Sequence, residues 1–172
     1  MTVIAYRAGI MACDSCWATQ DGLQEISLTK IKRLSSGALL GGSGEGDSRD
    51  VELLLDKCKT EASLPLRSKL QELRLDWTGL LVLPNGQVFT VATSDTPDKK
   101  DAEVGVCVFN RGFAAIGTGK EIAIGAMAAG KTAAEAVKIT CDWDIHCRPP
   151  LHIVRLRDHA RGRTRNLVRR RR

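Results

Sequence analysis

The chain has 172 residues, 43% hydrophobic and 27% charged, which suits one compact domain rather than two. Its longest apolar run, residues 122–130, is about half the roughly 18 residues that a membrane span needs. The net charge is +6, yet nine arginines and one aspartate in residues 155–172 carry +8, leaving −2 on residues 1–154 and excluding a globally basic, nucleic-acid-wrapping body.

The first strands are read as a hairpin: residues 2–6 are β-rich, Ala8-Gly9 turns the chain, and residues 10–13 return, ending at Asp14. Residues 25–34 alternate as a third strand with Ile26, Leu28 and Lys30 on one face. Ser35-Ser36-Gly37 turns into a fourth strand at residues 38–40, and Gly41-Gly42-Ser43-Gly44-Glu45-Gly46 is expected to link it to a helix. That helix spans residues 47–59, with Val51, Leu54, Leu55 and Cys58 at helical spacing; Pro65 separates it from a short helical piece at 66–73. Residues 79–83 and 87–93 flank Asn85-Gly86, a strong hairpin signal. A polar loop is expected over 94–103, then short strands at 104–110 and 113–116, helices at 120–129 and 132–143, and a last strand at 151–156. Hairpin strands, two helix pairs and a closing strand make an α+β layered fold.

Two motifs are weaker than they look. Gly125-Ala-Met-Ala-Ala-Gly130-Lys131-Thr132 fits the phosphate-loop pattern, but that chemistry needs a strand before the loop, and the residues leading in are helix formers. Gly130 as a helix terminator and Thr132-Ala-Ala-Glu135 as a capping box account for the same letters. Cys13-Asp-Ser-Cys16 is half of a zinc site at most, because Cys141, His146 and Cys147 would complete it at an unusual spacing. The cysteines, Cys13, Cys16, Cys58, Cys107, Cys141 and Cys147, are scattered among apolar residues and read as free, buried thiols in a reducing cytoplasm. The opening residues lack a basic region followed by an apolar one, so no secretory signal is expected.

Thr2 becomes the first residue if Met1 is removed. A free N-terminal threonine holds a hydroxyl nucleophile and its own base, since an α-amine titrates near pH 7.7–8. Such a site needs a nearby cation, a carboxylate to fix that cation, and a backbone N–H for the oxyanion. Asp14, at the end of the paired strand, Lys30 and Gly44 are candidates in suitable elements. Spacing alone leaves Lys32 as an alternative to Lys30.

Thr2-Val-Ile-Ala-Tyr-(x)-Ala-Gly-(x4)-Asp14-Ser15, Lys30-Ile-Lys-Arg-Leu, Gly42-Ser-Gly44 and Ile116-Gly-Thr-Gly119, in this order, resemble the proteasome β-subunit family, nearest in length to its HslV-type peptidases. The resemblance implies a four-layer α/β/β/α sandwich of antiparallel sheets, the N-terminal nucleophile hydrolase fold, over residues 1–156. It implies Thr2 as nucleophile and base, selects Lys30 over Lys32 as the partner of Asp14, and makes Gly44 the oxyanion donor. Thr118 stands where the family usually has serine. Asp144 matches an aspartate that the family follows three residues later with Ser-Gly; here Cys147-Arg148 stands there, and Asp142 is a less well-registered alternative. The implied activity is a threonine peptidase without a cofactor, acting on unfolded polypeptide in a homo-oligomeric ring served by an ATP-dependent unfoldase, with no membrane partner. Residues 157–172 are expected to be a disordered basic tail, a candidate for binding nucleic acid or an acidic partner with salt-sensitive affinity.

Overall fold

The computed structural model describes residues 2–18, 24–26, 29–44, 49–73, 75–94, 105–109 and 112–156. The arginine tail, most of the polar loop at 94–103, and residues 27–28 and 45–48 of the expected third strand, glycine cluster and first helix lie outside them.

The N-terminal hairpin forms as expected. β1 (Val3–Arg7) and β2 (Ile10–Cys13) pair antiparallel around Ala8 and Gly9, whose φ angles of +48° and +80° suit the tight turn of a right-twisted hairpin. β3 (Cys16–Ala18) pairs with β4 (Gln24–Ile26) as a separate ribbon, and β5 (Ile31–Arg33) pairs with β6 (Leu39–Gly44). The single strand expected over residues 25–34 is therefore two strands in different sheets, with Thr29 and Lys30 outside both. The alternation was real, but the chain changes partner within it.

The glycine cluster is also not the expected loop, because Gly41, Gly42 and Gly44 belong to β6. Glycine is needed there for space. The Trp77 ring lies over Gly42 and Gly79, where a Cβ would meet it at 2.0 and 1.9 Å respectively. A Cβ on Gly41 would meet Ile31 and Ile4 at 2.9 Å.

α1 (Arg49–Leu55) and α2 (Arg67–Gln71) follow, joined through a short 3-10 turn at Glu61–Ser63. β7 (Trp77–Val82), β8 (Val88–Thr93) and β9 (Gly105–Phe109) complete a five-stranded sheet ordered β5-β6-β7-β8-β9. β10 (Phe113–Gly117), α3 (Lys120–Ala128), α4 (Ala133–Trp143) and β11 (His152–Arg155) end the described chain. The second sheet is ordered β10-β1-β2-β11, and all its pairings are antiparallel.

Strand alternation distributes side chains between cores. Val3 and Ala5 of β1 join Ala12, Ala123, Met127, Ala136 and Val137 in a core shared with α3 and α4. Ile4 and Tyr6 point the other way, to Met11, Leu39, Leu80, Val82 and Ile116 between the two sheets. Trp77, Leu81, Phe89 and Val91 pack with Val51, Leu55 and Leu70 of α1 and α2. Among the described residues, no helix is long and apolar enough to cross a membrane.

The phosphate-loop letters are a helical hairpin. α3, not a strand, leads into them; Gly130 has φ +95°, and Thr132 and Glu135 form a reciprocal capping box. The backbone N–H groups of Ala129, Gly130 and Lys131 donate back to α3 carbonyls. The Arg7 guanidinium donates to the carbonyls of Met127 and Lys131, and the Thr132 N–H donates to Glu135 Oε2. With its N–H groups engaged, this turn presents no cradle of free donors to a phosphate.

Candidate active site

The β1–β2 hairpin sets the first two site residues side by side. Ile4 pairs with Cys13, and the Asp14 N–H donates to the Val3 carbonyl at 3.3 Å, so Thr2 and Asp14 meet at the open end. The Thr2 hydroxyl donates to Asp14 Oδ1 at 2.9 Å, and the same oxygen accepts from the Val3 N–H at 2.9 Å.

Lys30 reaches this point from just before β5. Its Nζ donates to Asp14 Oδ1 at 2.8 Å and also to Thr2 Oγ1. The Lys30 and Asp14 side chains are 3% and 0% exposed. Lys32, by contrast, points to α1, with its Nζ 2.5 Å from Glu52 Oε2. The structure thus separates two lysines that spacing alone could not.

The other Asp14 oxygen accepts from the Cys16 N–H at 2.9 Å and the Arg148 N–H at 3.5 Å. Ser15 secures that neighbour: its N–H donates to the Arg148 carbonyl at 2.9 Å, and its hydroxyl donates to the Pro150 carbonyl. These donors escape sequence reasoning because most are backbone groups, which leave no trace in residue identity.

Thr2 is also held by its carbonyl, which accepts from the Thr118 hydroxyl at 3.3 Å and the Gly119 N–H at 3.4 Å. Gly117, at φ +93°, makes that approach feasible, because a Cβ there would lie 2.1 Å from the Thr2 oxygen. Asp144 ends α4, and its carboxylate accepts from the His146 N–H at 2.8 Å and from the Cys147 thiol at 3.6 Å. It stands behind Gly119, whose Cβ would lie 3.3 Å from Asp144 Oδ2. Asp142 is exposed. Gly44 ends β6 opposite Trp77, pressed against the Asp76 carbonyl, and its neighbour Ser43 lines a cavity that Thr2 also lines.

That cavity measures about 540 Å³ and opens beside the Thr2 side chain. The nearby thiols are poor nucleophiles. Burial pushes Cys13 up to about 11, with the Lys30 charge and backbone contact pulling weakly the other way. Burial also raises Cys147, helped by the carboxylates of Asp14 and Asp144. Cys13 and Cys16 are both buried with free thiols. No group of three His, Cys, Asp or Glu among the described residues is placed to hold a metal ion.

No protein-family model matches the sequence, and no curated protein matches it. Solved structures do. A protein called BPH from Thiobacillus denitrificans is 19% identical with a TM-score of 0.56, covering 90% of this chain and 97% of its own. Eukaryotic HslV from Trypanosoma brucei is 15% identical with a TM-score of 0.64, over 89% of this chain and 97% of its own. Thiobacillus denitrificans BPH in complex with epoxomicin is 18% identical with a TM-score of 0.55, over 90% and 98%. The two larger antiparallel sheets and four α-helices of the described residues, with near-complete coverage of these chains, establish that this protein has an HslV/proteasome-type fold.

Proposed function

We propose that this chain is a threonine-type peptidase of the proteasome/HslV family, hydrolysing peptide bonds through Thr2 after Met1 is removed. The observation that carries the reading is the buried convergence of Thr2 Oγ1, Asp14 and Lys30 at the edge of a cavity. The order of the three cores supports a four-layer α/β/β/α sandwich.

In this reading Thr2 Oγ1 attacks the substrate carbonyl and its proton passes to the α-amine that Met1 removal frees. Lys30 steadies the negative charge that develops on Oγ1, and Asp14 holds Lys30 in place. The Gly44 N–H donates to the carbonyl oxygen as it becomes an oxyanion. The C–N bond then breaks, the amine product leaves with the proton, and water hydrolyses the ester on Thr2 to release the acid. Thr118 and Asp144 support the backbone around Thr2 and its amine. The likeness to HslV supports a homo-oligomeric ring supplied with unfolded polypeptide by an ATP-dependent unfoldase.

The test has two steps. Intact mass is expected to show loss of Met1, and a peptide epoxyketone such as epoxomicin is expected to add to the wild type and not to Thr2→Ala. A retained Met1, or labelling that survives Thr2→Ala, overturns the reading.

A further inference from the structure

The layer between the sheets changes chemistry at one rung. On β7, Val82 and Leu80 belong to that core, and the next residue on the same face is Thr78. On β6, Leu39 belongs to it, Gly41 follows against Ile4 and Ile31, and then comes Ser43. Ser43 and Thr78 are register partners, and both line the cavity beside Thr2, together with Thr118. At the mouth stand Lys120 and Glu121, 3.9 Å apart, with side chains 53% and 74% exposed. Among the described residues, its lining includes no aromatic one.

We propose that this cavity is a substrate subsite that favours an uncharged hydrogen-bonding side chain, Ser, Thr, Asn or Gln, at one position beside the cleaved bond. This rests on the peptidase reading and adds its substrate class. A hydroxyl or amide entering here replaces the water on Ser43 and Thr78 with equivalent hydrogen bonds, whereas a leucine or phenylalanine strips that water and returns nothing. Because Lys120 and Glu121 neutralise each other at the entrance, the subsite has no preference for one sign of charge.

The experiment uses the full-length protein and a set of internally quenched peptides varied on both sides of the cleaved bond, with products identified by mass spectrometry. At one position, Ser, Thr, Asn and Gln are expected to exceed Leu and Phe in kcat/KM by about tenfold, the scale of one net hydrogen bond. Thr78→Val is expected to bring that ratio close to one, while Thr78→Ser keeps it; Ser43→Ala serves if the valine variant does not fold. A wild type that cleaves with a preference unmoved by these variants overturns the inference alone. A wild type that neither cleaves peptides nor takes the epoxyketone overturns the peptidase reading and the subsite together.

Discussion

Lys30 Nζ lies 2.8 Å from Asp14 Oδ1, and both side chains are withdrawn from solvent. An ion pair so placed costs much to desolvate, so its worth lies in what happens when one partner is removed. Asp14 is the acceptor for Lys30, for the Thr2 hydroxyl and for the N–H groups of Val3, Cys16 and Arg148. Asp14→Ala is therefore expected to destabilise the fold by about 3–5 kcal/mol, as measured by urea unfolding. Thr2→Ala gives up a single hydroxyl and is expected to cost about 1 kcal/mol. Equal losses for the two variants would contradict this picture of Asp14 as the hub.

Gly79 and Gly42 form a recess for the Trp77 ring. Gly79→Ala puts a methyl 1.9 Å from the ring carbon Cη2, a distance that forces the indole or the strand to move. A loss of about 1–3 kcal/mol is expected, the usual cost of overpacking a filled core. Fluorescence in a Trp17→Phe/Trp143→Phe background, which leaves Trp77 as the single indole, should show Trp77 shifted to the red as its ring leaves the core.

The Cys13 thiol ionises at about 11 in the fold against an ordinary value of 9.0. Its thiolate fraction at pH 8 is then on the order of 10⁻³, so iodoacetamide should leave it unmodified in the native protein and react after denaturation. The raised value also fixes a sign. Above pH 9 the unfolded chain loses this proton while the fold keeps it, so stability falls between pH 9 and about 11. Urea midpoints across that range should decline less steeply in Cys13→Ala than in the wild type.

The helical hairpin at Gly130–Thr132 offers a test against nucleotide binding. Thr132→Ala should lower stability by about 1 kcal/mol through loss of a helix N-cap, and ATP with magnesium should leave the Tm of the wild type unchanged. Hydrogen bonds from the Thr132 backbone and hydroxyl hold the Glu135 carboxyl below its ordinary 4.5. The contribution of the capping box is therefore present above that pH and lost as the pH falls through the folded value. The gap between wild type and Thr132→Ala should narrow in acid.

Much of the architecture was legible because periodicity and turn chemistry are local. The hairpin around Ala8-Gly9, the Asn85-Gly86 turn and the Thr132 capping box all declare themselves in a few residues. The failures came where a distant residue decided. Nothing near Gly41–Gly44 announces that Trp77, more than thirty positions later, needs the space their side chains would fill. Likewise the alternation at residues 25–34 does not say that the chain leaves one sheet for another between Ile26 and Ile31. At the site, the charged pair could be named from residue type and order, whereas the backbone donors on Asp14 could not. Ser43 and Thr78 did carry a signal, since each continues an apolar face with a hydroxyl at the strand's two-residue period, but reading it required knowing that the two strands pair.

The two-residue turn at Ala8-Gly9 acts as a ruler for residues that never touch it. The two arms of the hairpin bring Val3 level with Asp14 and set Thr2 one residue beyond it, so the separation of Thr2 and Asp14 depends on the length of the turn. One inserted residue there would slip the register and swing the side chains of the second arm through to the opposite face. Asp14 would then leave the face it shares with Ala12, and Lys30 would be left beside a hydroxyl with no carboxylate to anchor it. Intolerance to insertion should therefore appear at this one corner, at the opposite end of the hairpin from Thr2 and Asp14.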